Sequence, residues 1–257
     1  PGDRVAALTR FGGYAEYVNT MADGVARIPD HISLDIAPAL ATQACTAYYC
    51  AVEKVRLRKG DHVLIHAAAG GVGSILVQLA KNAECTIYGT ASAAKHEYLK
   101  SIGVHHPVDY RNQDFYSIIT DKSGKRPIDF AFDSLGGSTF KKSLKLLKPT
   151  GTIVSYGATS QLDGKSKIKA IRAVLAFGIY SPIQFLMHSR SLITVNMLRV
   201  ADHKSSVFNE VLNAVVSLIE KEELKLKLDS VYDADNIAKA HQQLESRNSM
   251  GKIVIKW

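Results

Sequence analysis

The residues with the most evident chemical potential are Gly70, Gly71, Val72 and Gly73, preceded by Ala68-Ala69. They stand where a short apolar run, His62–His66, gives way to Ile75, Leu76, Leu79 and Ala80 at helical spacing. A strand, a tight turn and a helix in that order bring the unpaired N–H groups and the positive end of the helix dipole to one point, where a phosphate binds. Glycine suits that turn because a Cβ would obstruct both a pyrophosphate and the close approach of helix to strand. The run departs from G-x-G-x-x-G at its first position, which is Ala68.

Which dinucleotide such a turn holds depends on the end of the next strand. An NAD site carries a carboxylate there, about 20 residues on, to bind the ribose 2′-hydroxyl. This chain reads Tyr88-Gly89-Thr90-Ala91-Ser92-Ala93-Ala94-Lys95, with no acid between Glu84 and Glu97. Ser92 and Lys95 offer instead a hydroxyl and an ammonium to a 2′-phosphate, each charge-assisted bond contributing about 1.5–3 kcal/mol. The expected cofactor is therefore NADP(H). The alternative for the same two residues is that Ser92 caps a helix starting at Ala93 and Lys95 is a solvated surface charge.

Other chemistries find little support. Cys45, Cys50 and Cys85 are odd in number and contain no C-x-x-C pair, so neither a disulfide framework nor a four-cysteine zinc site can be drawn, and a reducing, cytoplasmic setting is expected. No G-x-S-x-G elbow, H-E-x-x-H helix or paired-carboxylate arrangement points to hydrolysis. His66 ends an apolar strand and reads as a packed residue, and His105-His106 adjoin Pro107. No residue stands out as a proton donor.

The elements that would position the turn alternate. Strand-like runs at His62–His66, Thr86–Tyr88, His106–Asp109, Ile128–Phe132 and Thr152–Ser155 are separated by helical patterns after Gly73 and over Ala93–Ser101, Gln113–Asp121 and Thr139–Leu147. Such βαβ units predict an α/β fold, a doubly wound parallel (Rossmann) sheet covered on both faces. Leu192–Met197 reads as a further strand at the sheet edge, able to pair with its copy in a homodimer. The chain ends differ. Arg4–Leu8 and Tyr14–Val18 look like two strands joined by Gly12-Gly13, Val207–Ile219 carries a helical stripe, and Leu224–Val231, helix-like Ala234–Leu244 and the strand Ile253–Ile255 follow. The expected division is a β-rich remnant over 1–41, a nucleotide-binding domain over 42–221 and a return to the first unit over 222–257.

The composition, 46% hydrophobic and 22% charged over 257 residues, excludes a disordered or collagen-like chain. A net charge of +8 suits an anionic partner, but the basic residues are scattered, as in Lys141-Lys142, Lys145 and Lys148, and no groove-reading motif or aromatic platform accompanies them; nucleic acid is not expected. Lys165–Met187, a basic start followed by an apolar run, reads as a lid or subunit contact in preference to a segment lying on an acidic bilayer; its apolar part, Ala173–Met187, is broken by Ser181-Pro182 and too short for a comfortable span. The opening Pro1-Gly2-Asp3 leads straight into an apolar run and looks like the middle of a protein.

Taken in order, Pro1-Gly2-Asp3-Arg4-Val5, Gly12-Gly13-Tyr14-Ala15-Glu16-Tyr17-Val18, Thr46-Ala47-Tyr48, His66 through Gly73, Asp133-Ser134-Leu135-Gly136-Gly137 and Gly251-Lys252-Ile253-Val254 resemble the medium-chain dehydrogenase/reductase superfamily. Within it the chain resembles most the zinc-independent NADPH:quinone oxidoreductases of zeta-crystallin type, with a flavour of the vesicle amine transport protein branch in Ser181–Met197. The resemblance covers nearly the whole sequence but lacks the family's opening segment, which completes a GroES-like catalytic domain; the two chain ends would be part of that domain. It implies reduction of a small quinone or an α,β-unsaturated carbonyl by NADPH. It also places Thr46 near the nicotinamide, Gly70 to Gly73 on the pyrophosphate, and Ser92, Lys95 and Tyr110 around the 2′-phosphate. Gly157-Ala158 would pass beside the nicotinamide ribose, and Asn196 and Met197 would close over the nicotinamide amide. Plainer roles stand beside these: Thr46 capping its helix, Tyr110 packing at a strand end, Asn196 facing water from an edge strand. Zinc-dependent relatives carry a cysteine four residues before that threonine; here the position is Thr42, a poor zinc ligand, and no zinc is expected. A chain without that Lewis acid suits conjugated substrates better than simple alcohols. The competing expectation is a nucleotide-binding or membrane-associated family member with little or no turnover.

Overall fold

The computed structural model describes residues 1–9, 11–157, 178 and 180–257. In chain order the elements are β1 (Val5–Ala7), β2 (Val25–Arg27), α1 (Cys45–Tyr48), β3 (His62–Ile65), α2 (Gly71–Asn82), β4 (Thr86–Ala91), α3 (His96–Ile102) and β5 (His106–Asp109). They continue with α4 (Phe115–Ser123), β6 (Ile128–Asp133), α5 (Gly137–Leu146), β7 (Leu147–Ser155), α6 (Pro182–Leu186) and β8 (Ser191–Thr194). The last are α7 (Met197–His203), α8 (Ser205–Glu220), β9 (Leu228–Asp233), α9 (Ile237–Glu245) and β10 (Lys252–Lys256).

Two compact units share these elements. One, Cys50–Ala69 with Leu76–Val195, holds the sheet that the alternation predicts. Its six described strands run in the order β5-β4-β3-β6-β7-β8, each parallel to its neighbours. Parallel strands are covered on both faces, so they read as continuous apolar runs: Val63, Leu64 and Ile65 of β3 are all fully buried. Leu64, Tyr88, Val108, Ile119, Phe140 and Ile153 share one core that ties α4 and α5 to the strands. The strand order reverses between β3 and β6, and in an open α/β sheet the crevice at the carboxyl ends beside that reversal is where ligands bind. β8 lies at the edge, as expected, but stops at Thr194; Asn196 and Met197 are not strand residues, because Asn196 caps the helix that Met197 begins.

The other unit comprises Pro1–Tyr49, Gly70–Ile75 and Asn196–Trp257. Here one expectation fails. β1 pairs antiparallel with β2, not with Tyr14–Val18, which is exposed and forms no strand. Burial decides the pairing: Ala6 and Ala26 face each other in the core, and the Arg4 guanidinium donates to the carbonyls of Pro29 and Ile32, tying β1 to the chain beyond β2. Tyr14 instead sets its hydroxyl 3.1 Å from His241 Nε2. β9 and β10 form a parallel pair joined by α9, and α8 buries Phe208, Val211, Leu212 and Val215, packing on α1 and β2.

Among the described residues no helix is long and apolar enough to cross a membrane. Most of Lys165–Met187 lies outside the described residues; its end forms α6.

Candidate functional site

The sequence-predicted site residues divide between the two units, and each half is built on its own. β3 ends at Ile65, and the chain then leaves the sheet through Ala67, held at the strained φ of 48° while its N–H donates to Thr90 Oγ1 at 3.3 Å. The Ala68 N–H donates to the Thr90 carbonyl at 3.0 Å. α2 opens at Gly71, and its first internal bond runs from the Ser74 N–H to the Gly70 carbonyl at 2.9 Å, so the N–H groups of Val72 and Gly73 have no acceptor within the helix. Gly70 forms an isolated parallel bridge with Gly251, which brings the last strand to the turn. A Cβ on Gly71 would lie 2.1 Å from the side-chain carbon and nitrogen of Gln43, so this glycine first makes room for a protein carboxamide.

Gln43, Gly251 and Lys252 line a cavity of about 360 Å³ in this unit, together with Tyr14, Pro38 and His241. Lys252 is half-buried, and desolvation pushes its ammonium pKa down. Sequence reasoning assigned no role to Gln43 or Lys252. Gln43 carries no local signal, whereas Lys252 follows the glycine of Gly251-Lys252-Ile253-Val254, and that glycine pairs with the phosphate-type turn. Thr46 is buried, and its hydroxyl donates to the Thr42 carbonyl at 2.6 Å, one turn back in its own helix; it is not a cap. Asn196 is exposed and accepts the Arg199 N–H at 3.3 Å, and Met197 is buried.

The chemistry of the donors does not fit zinc. Thr42 is exposed with its carbonyl engaged by Thr46, and burial pushes the Cys45 thiol well up, away from the thiolate a metal binds. Among the described residues no group of three His, Cys, Asp or Glu side chains could hold a metal ion.

In the sheet unit, Ser92 follows β4, is 9% exposed and opens the single turn Ala93–Lys95 without a side-chain capping bond. The capping role that competes for this hydroxyl is therefore not the one it plays. Lys95 is half-buried and has a partner of its own. Tyr110, 43% exposed, sits at the end of β5 and lines a cavity of about 360 Å³ with His66, Thr90, Arg111, Asn112 and Lys142; Ser92 and Lys95 are not among its lining. Arg111 is a cation that sequence reasoning missed, as its loop carries no motif. Asp109, at the end of β5, is an acid already engaged: it accepts from Asn112 Nδ2 at 2.6 Å and the Arg111 N–H at 3.1 Å, and also from the Ala93 N–H that follows Ser92. The Asn112 bond leads in holding its carboxyl pKa low.

At the end of β6, Asp133 is wholly buried; its Oδ1 accepts the N–H groups of Leu135 (2.6 Å) and Gly136 (2.8 Å), while Oδ2 is buried without a partner. The turn it holds needs glycines at Gly136 and Gly137, whose φ values are 73° and 60°. A Cβ on Gly157 would come 3.1 Å from the Ser134 carbonyl oxygen, so the end of β7 passes close along this turn; Ala158 lies outside the described residues. His66 is a packing residue, bonded through Nδ1 to Thr90 (3.1 Å) and Nε2 to Ser143 (2.8 Å), with burial lowering its pKa.

A parallel sheet whose strand β3 leads along the chain into a glycine turn and a helix defines a dinucleotide-binding class of fold. Comparison with known proteins places the chain within that class. A family described as zinc-binding dehydrogenase matches residues 102–255. The zebrafish (Danio rerio) synaptic vesicle membrane protein VAT-1 homolog is 34% identical over 99% of this chain and 53% of its own length. A probable quinone oxidoreductase of Schizosaccharomyces pombe is 32% identical over 99% of this chain and 72% of its own. The crystal structure of Escherichia coli quinone oxidoreductase complexed with NADPH superposes with a TM-score of 0.83 at 28% identity, covering 99% of this chain and 76% of that one. The chain belongs to the zinc-binding dehydrogenase family of the medium-chain dehydrogenase/reductase superfamily, in its quinone oxidoreductase branch. It spans little more than half the length of the zebrafish relative.

Proposed function

We propose that this chain binds NADPH and, within its whole protein, reduces quinones or α,β-unsaturated carbonyls without zinc. The observation that carries the reading is the β4 terminus: no carboxylate is free there for a 2′-hydroxyl, and the Ser92 hydroxyl is left uncapped behind it. The NADPH complex of the E. coli quinone oxidoreductase supports the choice of cofactor.

In this reading the turn from Gly70 to Gly73 receives the pyrophosphate, with Lys252 as a counter-charge whose desolvation an anion would relieve. The Tyr110–Arg111–Asn112 cavity takes the adenosine, and Ser92, Lys95 and Tyr110 meet its 2′-phosphate. Thr46, Gly157, Ala158, Asn196 and Met197 belong to the nicotinamide end. When bound, NADPH supplies the hydride; the chain supplies orientation and hydrogen bonds to the oxygen on which charge gathers. Zinc independence is supported by Thr42 and the protonated Cys45. The exposed edge of β8 suits a homodimer, and three buried free thiols suit a reducing compartment such as the cytoplasm.

The test is titration of the purified chain with NADPH and NADH by cofactor fluorescence, followed by NADPH-dependent turnover of a quinone and enal panel by the whole protein. Micromolar binding of NADPH with weaker NADH is expected. Absence of binding to either cofactor overturns the reading.

A further inference from the structure

Within the sheet unit, the cofactor candidates Ser92, Tyr110 and Gly157 follow the carboxyl ends of β4, β5 and β7. A second constellation lies at the opposite, amino ends. Arg126 precedes β6, Lys145 lies in the last turn of α5 ahead of β7, and Arg190 directly precedes β8. With Lys125, Tyr116 and Leu144 they line one cavity of about 420 Å³.

Among the described residues none of the four cations has a carboxylate partner. Arg190 spends its guanidinium on the carbonyls of Leu147 and Lys148, the latter at 3.2 Å. Burial and then the charge of Arg126 lower its pKa, so two guanidinium groups stay close enough to feel each other with no acid between them. Such uncompensated charge in a concave site is relieved by an anion, and the three cations beside Arg190 match a phosphate better than a single carboxylate.

The neighbouring cavity, about 380 Å³, shares Arg126, Leu144 and Arg190 but has a different character. Its wall is Ile183, Phe185 and Met187 from α6 and the residue after it, and Ile183 and Met187 are 61% and 74% exposed. His188, on the same wall, has its Nδ1 buried without a partner. A charged hollow opening onto an apolar one, with shared arginines at the junction, is the profile of a molecule that has an anionic end and a hydrocarbon end.

We propose that these two cavities form a binding site for one phosphate-headed, acyl-tailed amphiphile, its head among Lys125, Arg126 and Lys145 and its tail along Ile183, Phe185 and Met187. The site is independent of the cofactor reading.

Calorimetric titration with monomeric dihexanoyl phosphatidic acid, dihexanoyl phosphatidylcholine and inorganic phosphate tests it. The phosphatidic acid is expected to bind at least about tenfold more tightly than either of the others. Arg126→Gln with Lys145→Gln should lose about tenfold toward phosphatidic acid, and Ile183→Ser with Met187→Ser should weaken phosphatidic acid while leaving inorganic phosphate unchanged. NADPH titration of the same variants reports whether the rest of the chain is intact and keeps a failure of this site separate from a failure of the cofactor site. Equal affinity for the two lipids, or wild-type binding by the arginine–lysine variant, overturns the proposal. So does flotation with phosphatidic acid vesicles in the absence of monomer binding, which would assign the surface to a bilayer.

Discussion

Replacing Ser92 by alanine isolates the recognition of the 2′-phosphate from the stability of the fold. Ser92 is buried at the end of β4 and opens the Ala93–Lys95 turn, yet its hydroxyl makes no capping bond. The usual loss of about 1 kcal/mol on removing a serine cap therefore does not apply, and the melting free energy should move by less than about 0.5 kcal/mol. A hydroxyl bonded to a charged group contributes about 1.5–3 kcal/mol, so NADPH should bind about 10- to 150-fold more weakly to the variant. NADH, which lacks the phosphate, should bind as before. Lys95→Ala should behave in the same direction, at about tenfold. The assay is paired fluorescence titration with both cofactors beside a thermal melt. Equal losses for NADPH and NADH, or a drop of more than about 1 kcal/mol in stability without cofactor selectivity, would refute the assignment and return Ser92 to a structural role.

Four further outcomes are expected. Gly71→Ala places a methyl 2.1 Å from the Gln43 amide, so binding of both cofactors should fall together, and Gln43→Ala in the same chain should restore part of the lost stability, as a double-variant melt would show. The thiols of Cys50 and Cys85 are pushed up to about 12 by burial, so iodoacetamide at pH 8 should label them only after denaturation; rapid native labelling seen by mass spectrometry contradicts the packing. Burial lowers the pKa of His66 below its ordinary 6.5, so the folded chain binds fewer protons than the unfolded chain just below that value; stability present above pH 6.5 should fade on acidification, and His66→Gln should flatten the decline in a pH series of melts. Lys252→Met should weaken NADPH and NADH alike, since the pyrophosphate is common to both, without loss of stability in the free chain; selective loss of NADPH alone would move Lys252 to the ribose end.

The sheet was legible because its strands need no partner information to be recognised. Val63-Leu64-Ile65 is buried on both faces and prints a continuous apolar run, and Ile128–Phe132 is apolar but for Asp129, whose carboxylate is taken up by the His62 N–H and Lys148. β4 runs on to Ala91 through Gly89 and Thr90, which give no apolar signal; a Cβ on Gly89 would come within 3.1 Å of Ala68 and Val104. The first unit was harder to read. Tyr14–Val18 has the composition of a strand, but among the described residues no second strand takes it as a partner, while the partner of β1 is the unremarkable Val25–Arg27, chosen by the facing alanines and the reach of Arg4. Strand pairing is a long-range choice, and a single run of residues carries no record of it.

The same distinction governs the site. The turn from Gly70 to Gly73 announces itself locally, since glycine is demanded by the backbone there, and so do Gly136 and Gly137 with their left-handed φ values. Gln43 and Lys252 are bound to that turn through space: one lies against Gly71, and the other follows the glycine that bridges Gly70 from the far end of the chain. Their chemistry, a carboxamide and a desolvated ammonium, reaches the turn only after folding has joined it to a segment about 30 positions before it and another about 180 positions after it. Metal chemistry turns on residue type at one position. The family's description includes zinc, but the ligand position is Thr42, exposed, and the fold buries the Cys45 sulfur three positions on, so neither side chain has the chemistry of a zinc ligand.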